Sequence, residues 1–191
     1  MLCQRRISKL QWHCTLNCLQ QNDETAIPMD FVKKDFKKHK GGVILLNSYD
    51  EDLIKDLELK DLLKYVKVHK KPKIYLDLIE QEFDFAGSKI DWLQTNKHYS
   101  KSSNHESLLS DALLFITELK EKYLDNNLQV IYIGDNLTEF GYQFELKHLE
   151  ELLVYFLDIP QHHYFISLEG DWSICISFEN DLDFGFSLNK K

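Results

Sequence analysis

The sequence predicts an α+β fold, a single domain in which a C-terminal antiparallel β-meander packs against amphipathic helices. Three observations carry that expectation. Residues 161–186 alternate apolar and polar side chains with period two, and residues tolerant of left-handed backbone angles interrupt them at Glu169–Asp171 and Asn180–Asp181. Residues 105–124 and 145–157 instead space apolar side chains three and four apart, as a helix with one buried face does. The chain of 191 residues is 43% hydrophobic and 13% aromatic, ample for one core.

Residues 1–28 differ in character from the rest: basic and cysteine-bearing, then polar as far as Pro28. They read as an appended, weakly ordered segment, which leaves 29–191 as the domain. His13, Cys14 and Cys18 suit zinc by ligand type, but the spacing between the two thiols has no second pair to complete four ligands, and Cys3 would have to fold back. No metal site is expected there. Three of the four cysteines fall in the first 18 residues and Cys175 is far away, so a disulfide framework is not indicated and reduced thiols are the default.

"GGVILLNSYD" (41–50) fits a short buried strand, and Ser48 with Glu51 has capping-box spacing at the start of a helix through Leu53, Ile54 and Leu57. Residues 60–69 continue helically on Leu62, Leu63 and Val66 until Pro72. In "KIYLDLIEQEFDF" (73–85) the alternation of Ile74, Leu76 and Leu78 predicts an opening strand, although Leu78, Ile79, Glu82 and Phe83 also fit a helix. "TNKHYSKSSN" (95–104) reads as a polar, mobile loop, ending in a second capping box at Ser103 and Glu106. The helix after it carries Leu109, Ala112, Leu113, Ile116, Leu119 and Tyr123 as its stripe. "LQVIYIGDN" (128–136) is a strand stopped by Gly134–Asn136. The helix over 145–157 buries Leu146, Leu149, Leu152, Leu153 and Phe156, and Pro160 closes it.

Alternation sorts the meander into two faces. Tyr164, Ile166, Leu168, Trp172, Ile174, Ile176, Phe178, Leu182, Phe184, Phe186 and Leu188 are expected to form one apolar layer. The other face takes His163, Phe165, Ser167, Ser173, Cys175, Ser177, Glu179, Asp183 and Ser187. On that reading Cys175 stands within diagonal reach of His163, the material of a nucleophile and its base. A mid-strand thiol among hydroxyls and carboxylates lacks the cation or helix N-terminus that favours a thiolate, so no catalytic residue is expected. His162 and His163, adjacent on a strand, point to opposite faces and cannot easily share one ion.

The balance of 31 acidic against 23 basic residues gives a net charge of −8, which repels phosphate backbones and attracts basic surfaces. Nucleic acid is therefore not expected as a direct ligand, and the basic runs at 33–40 and 64–73 read as solvated faces. No stretch reaches the ~18 apolar residues of a membrane span, and the N-terminus lacks a signal-peptide core, so a cytoplasmic location is expected. The phosphate-binding glycine motifs, the nucleophile elbow and the zinc-protease motif are all absent from the sequence. The glycine and Asp135 of "YIGDN" are ordinary turn chemistry. No cofactor is expected.

Residues 130–186 run as a strand, a leucine-rich helix, "PQHHYF", then "WSIC" and "ENDLDFG". In this order they resemble the C-terminal part of small acidic bacterial immunity proteins, the antidotes that accompany contact-dependent growth inhibition and other polymorphic toxins. The resemblance spans about a third of the chain. It implies a non-enzymatic inhibitor that binds a cognate toxin domain, often a basic nuclease, and occludes its active site. The acids at the meander turns and the segment 82–92 supply the candidate partner surface: Asp84, Asp91, Trp92, Glu169, Asp171, Glu179, Asp181 and Asp183. Two alternatives stand beside it: another adaptor or regulatory domain, and a Cys175/His163 enzyme.

Overall fold

The computed structural model describes residues 47–189, so the expectations for 1–28, for the basic run at 33–40 and for the strand expected over 41–50 as far as residue 46 lie outside the described residues, and Ser48–Asp50 at the end of that stretch are helical. Helix α1 (Ser48–Leu59) is capped one residue earlier than expected, where the Asn47 side chain accepts a hydrogen bond from the Tyr49 amide. Leu53, Ile54 and Leu57 form its buried stripe. The helix ends in a Schellman arrangement: Asp61 adopts a left-handed φ of 60°, while the Leu62 and Asp61 amides reach back to the Leu57 and Glu58 carbonyls. That turn cuts off the helical continuation expected over 60–69. A 3-10 turn at Leu63–Tyr65 and strand β1 (Lys67–His69) stand there instead.

Pro72 then opens helix α2 (Lys73–Glu82), where a strand was expected. Proline suits a helix start because its missing N–H would be unpaired there in any case. Ile79 and Phe83, four apart, are the buried pair, whereas Ile74 is 53% exposed, so the apparent alternation does not define a face. A two-stranded hairpin follows, β2 (Phe85–Ala86) with β3 (Lys89–Ile90). The expected mobile loop is strand β4 (Asn96–Ser102), paired with the last strand. Its polarity is that of an edge with one covered side: Tyr99 stacks on Phe115, and its hydroxyl and the Lys101 ammonium both bond Glu118.

Helix α3 spans Leu108–Lys122. The predicted Ser103/Glu106 box is replaced by Asn104, whose side-chain oxygen accepts from the Glu106 and Ser107 amides, while both serine hydroxyls, Ser103 and Ser107, donate to Asp111. Its stripe is rotated from the expected one: Ala112, Phe115, Ile116 and Leu119 are buried, with Leu109 and Tyr123 exposed. After β5 (Gln129–Gly134) and β6 (Gly141–Glu145), helix α4 (Leu149–Leu157) buries Leu149, Leu152, Leu153 and Phe156, whereas Leu146, predicted in the same helix, is buried in a 3-10 turn before it and Glu145 ends β6. The meander is as expected: β7 (His163–Ser167), β8 (Trp172–Ile176) and β9 (Asp181–Phe186). Gly170 (φ 71°) and Asn180 (φ 69°) supply the left-handed residues of its two turns.

These seven strands form one antiparallel sheet in the order β1-β6-β5-β7-β8-β9-β4. Helices α1, α3 and α4 cover one face, packed on Val130, Tyr132, Tyr142, Phe165, Ile174 and Phe184. Helix α2 and the hairpin cover the other through Ile79, Phe83 and Ile90, which meet Ile131, Ile133, Tyr164, Ile166 and Cys175. The result is an α+β domain whose central strands are apolar on both sides.

The double covering corrects the predicted faces. His163 pairs with Ile176, Tyr164 with Cys175 and Phe165 with Ile174, so β7 is one residue out of phase with the expected sorting. Phe165, not Tyr164 or Ile166, joins Trp172, Ile174 and Ile176 beneath the helices. Phe178 and Leu188, placed in the apolar layer from the sequence, are 62% and 49% exposed. Both sheet margins are poor templates for a further strand. β1 has three residues, while β4 carries lysines, a register break between Asn96 and Tyr99, and a left-handed Lys97 (φ 52°).

Candidate functional site

The β8–β9 turn and the elements around it gather part of the predicted surface. Glu179 receives the Lys89 ammonium from the hairpin tip at 2.7 Å, and Asp183 bonds His98 of β4 at 2.9 Å. Trp92 stacks on that imidazole at 6.1 Å between ring centroids and 13° between planes. Asp181 accepts from the Ser102 hydroxyl at 2.8 Å. Asp91 caps the short 3-10 turn that follows it, accepting from the Leu93 amide, and its own amide bonds the Asp84 carbonyl. Asp84 itself is exposed.

Glu169 and Asp171 are not part of this group. They lie in the β7–β8 turn, at the far end of a five-residue strand and so roughly 16 Å away at strand rise. Asp171 there accepts from the Ser167 hydroxyl, and Glu169 is exposed. The expected rim of free acids is therefore in large part a set of internally partnered side chains that shape the turns. Exposed carboxylates remain at Asp84, Glu169, Glu179 and Asp181.

Asp135 and His162, set aside from the sequence as turn chemistry and as half of an opposed histidine pair, complete the β8–β9 end. Asp135, after β5, accepts the His162 backbone amide at 3.0 Å, and the imidazole of His162 stands 3.8 Å from Asp135 and 3.7 Å from Glu179. Its Nδ1 accepts the Phe178 amide, which fixes the ring and leaves Nε2 toward Asp135. Burial raises the pKa of Asp135 against the opposing pull of His162, and burial likewise raises Asp183 against His98. The sequence offered each residue separately but not their pairing, because they lie 27 residues apart.

The Cys175/His163 pairing is excluded by the register. The two residues are on opposite faces of the sheet and both are buried. The thiol is pushed far above its usual range by burial and by the Asp183 charge, so it is held protonated. The Tyr164 hydroxyl beside it is raised by the same burial, and it has no hydrogen-bond partner of proper geometry among the described residues.

Under the helices a polar network ties the loops. The Gln161 carbonyl oxygen accepts the amides of Asn136, Leu137 and Thr138 at 3.3, 2.7 and 3.3 Å, and its nitrogen donates to Tyr132 and Thr138. The Tyr132 hydroxyl accepts there and so donates its own proton to His163 Nδ1, 3.1 Å away. Desolvation pushes the pKa of His163 down to about 3, which keeps the ring neutral. Further along, the Tyr142 hydroxyl and the Glu139 amide donate to the fully buried Asp50 at 2.5 and 2.7 Å.

Gln161 and His163 form the floor of a cavity of about 370 Å³ between the start of α3, the end of α4 and the β8–β9 turn. Leu108, Leu109, Val154, Leu157 and Phe178 wall it. The groove thus borders the acidic turn, and Phe178 at its rim is next to Glu179. Among the described residues no cluster of histidine, cysteine and carboxylate side chains is placed to hold a metal ion, and no helix is long and apolar enough to cross a membrane. No family model, curated protein or solved structure matches the chain.

Proposed function

We propose that the chain is a protein-binding inhibitor, an immunity protein that occludes the active site of a cognate toxin domain with a basic surface. The single observation carrying this reading is Phe178. A large aromatic side chain 62% exposed at a turn tip, between the carboxylates of Glu179 and Asp181 and an apolar groove, has the make-up of an interface anchor with a polar rim. The net charge of −8 favours encounter with a cationic partner, and the resemblance of residues 130–186 to antidote proteins points to a toxin nuclease as that partner.

Two measurements test it. The chain is co-purified from its native host and its partner identified, and association rates are followed against salt for wild type, Phe178→Ser and Glu179→Lys/Asp181→Lys. The expected partner is basic. Phe178→Ser speeds dissociation about tenfold or more, and the double charge reversal slows association most at low salt. An acidic partner, or rates unchanged in both variants, sinks the reading.

A further inference from the structure

We propose that the groove between α3 and α4 is a socket for one aromatic or branched-aliphatic side chain, presented by a partner segment that carries a basic residue beside it. This rests on the protein-binding reading above and names the chemistry of the bound segment. The argument starts from the floor. Gln161 makes five hydrogen bonds, and His163 Nδ1 accepts from Tyr132, so most of the polar atoms at the base are already engaged. A polar ligand would gain little there and would lose its water.

The walls, in contrast, present unused apolar surface: Leu109, Val154 and Phe178 are 37%, 38% and 62% exposed around the opening. A volume of about 370 Å³ is near the lower end of the ~300–1,000 Å³ typical of ligand pockets, room for one large side chain with its neighbouring backbone. Charge selects the flank. Asp158 lines the mouth and Glu106 adjoins His105 at the opposite lip, both with exposed side chains, and Glu179, which follows Phe178, is exposed but already shared with Lys89. A lysine or arginine next to the inserted side chain meets Asp158 and Glu106, whereas an acidic neighbour is repelled.

The test uses the full chain with ¹³C-labelled methyl groups and three end-blocked tetrapeptides as probes. One reads lysine-leucine-tryptophan-lysine, one replaces both lysines by glutamate, and one replaces the central pair by serines. The first is expected to shift the methyl signals of Leu109, Val154 and Leu157 saturably, with the other two about tenfold weaker or worse. Val154→Arg, at a site exposed enough to leave folding intact, is expected to abolish the shifts. The socket is overturned if the first probe leaves those methyls unmoved, if the glutamate peptide binds equally, or if Val154→Arg binds like wild type. Retention of the native partner by Val154→Arg at wild-type affinity overturns the socket while leaving protein binding through Phe178 intact. Loss of the partner in Phe178→Ser together with Val154→Arg supports both.

Discussion

Gly134 and Gln161 are packed so closely that a Cβ on the glycine would lie 2.0 Å from the glutamine Nε2. The glutamine is held in place by the three loop amides it accepts, so it cannot move aside without releasing the β5–β6 loop. Gly134→Ala is expected to lower unfolding free energy by about 2–3 kcal/mol through overpacking. Gln161→Ala should cost about 3 kcal/mol because buried amides lose their acceptor. Urea denaturation followed by circular dichroism measures both, and a change under 0.5 kcal/mol in either would contradict the network's role.

His163 should impose an acid limit on stability. Its folded pKa of about 3 lies below the ordinary 6.5, so the unfolded chain takes up this proton first. The stability from this group is full above pH 6.5 and is lost as pH falls toward 3. Within that window the slope approaches about 1.4 kcal/mol per pH unit. Replacing His163 with glutamine removes this component, so the stability of the variant should fall less steeply between pH 6 and 4 in parallel denaturation series.

Asp50 works in the opposite sense. Burial raises its pKa above the usual 3.8, so the folded state binds the proton more tightly than the unfolded chain. Its contribution is most favourable below pH 3.8 and declines as pH rises through the raised folded value. Asparagine keeps an acceptor for the Glu139 amide and offers a donor to the Tyr142 hydroxyl, so Asp50→Asn should stay within about 1 kcal/mol of wild type at pH 7. Asp50→Ala strands both donors and is expected to cost about 3 kcal/mol. Equal losses in the two variants would show that the charge itself is what the fold requires.

Cys175 should be inert while the fold persists. Its thiol is buried and its pKa is raised by that burial, so attack on a disulfide reagent requires opening of the sheet. In a chain with Cys3, Cys14 and Cys18 changed to serine, labelling by a chromogenic disulfide is expected to follow the rate of unfolding and to accelerate in step with added urea. Rapid labelling under native conditions would contradict the buried placement.

What the sequence disclosed depended on whether polarity marked each face. The helix of Leu149, Leu152, Leu153 and Phe156 was legible because Glu150 and Glu151 mark its outer side. The meander strands and turns were legible from Gly170, Asn180 and their flanking alternation. The phase of β7 was not: in "HYFIS" every side chain is buried, so no polar residue marks an outside. Strand β4 was hidden for the opposite reason, since one lightly covered edge leaves it almost as polar as a loop. Of the candidate surface, Glu179, Asp181 and Asp183 came together as one end of the meander with Trp92 nearby. Glu169 and Asp171 did not, because successive turns of an antiparallel meander lie at opposite ends. The Asp135–His162 contact and the groove arise from packing between distant segments, and no local pattern announces them.

The two margins of the sheet, one only three residues long and the other bent at Lys97, decide what kind of recognition this scaffold allows. Among the described residues neither offers a straight run of amides and carbonyls for an incoming chain to extend, so the proposed partner would have to be read through side-chain shape and charge. That kind of reading is easily rewritten. If the proposed socket is the binding site, point changes at Leu109, Val154 or Phe178 would alter which guest is accepted while the ladders and buried bonds that define the fold stay as they are.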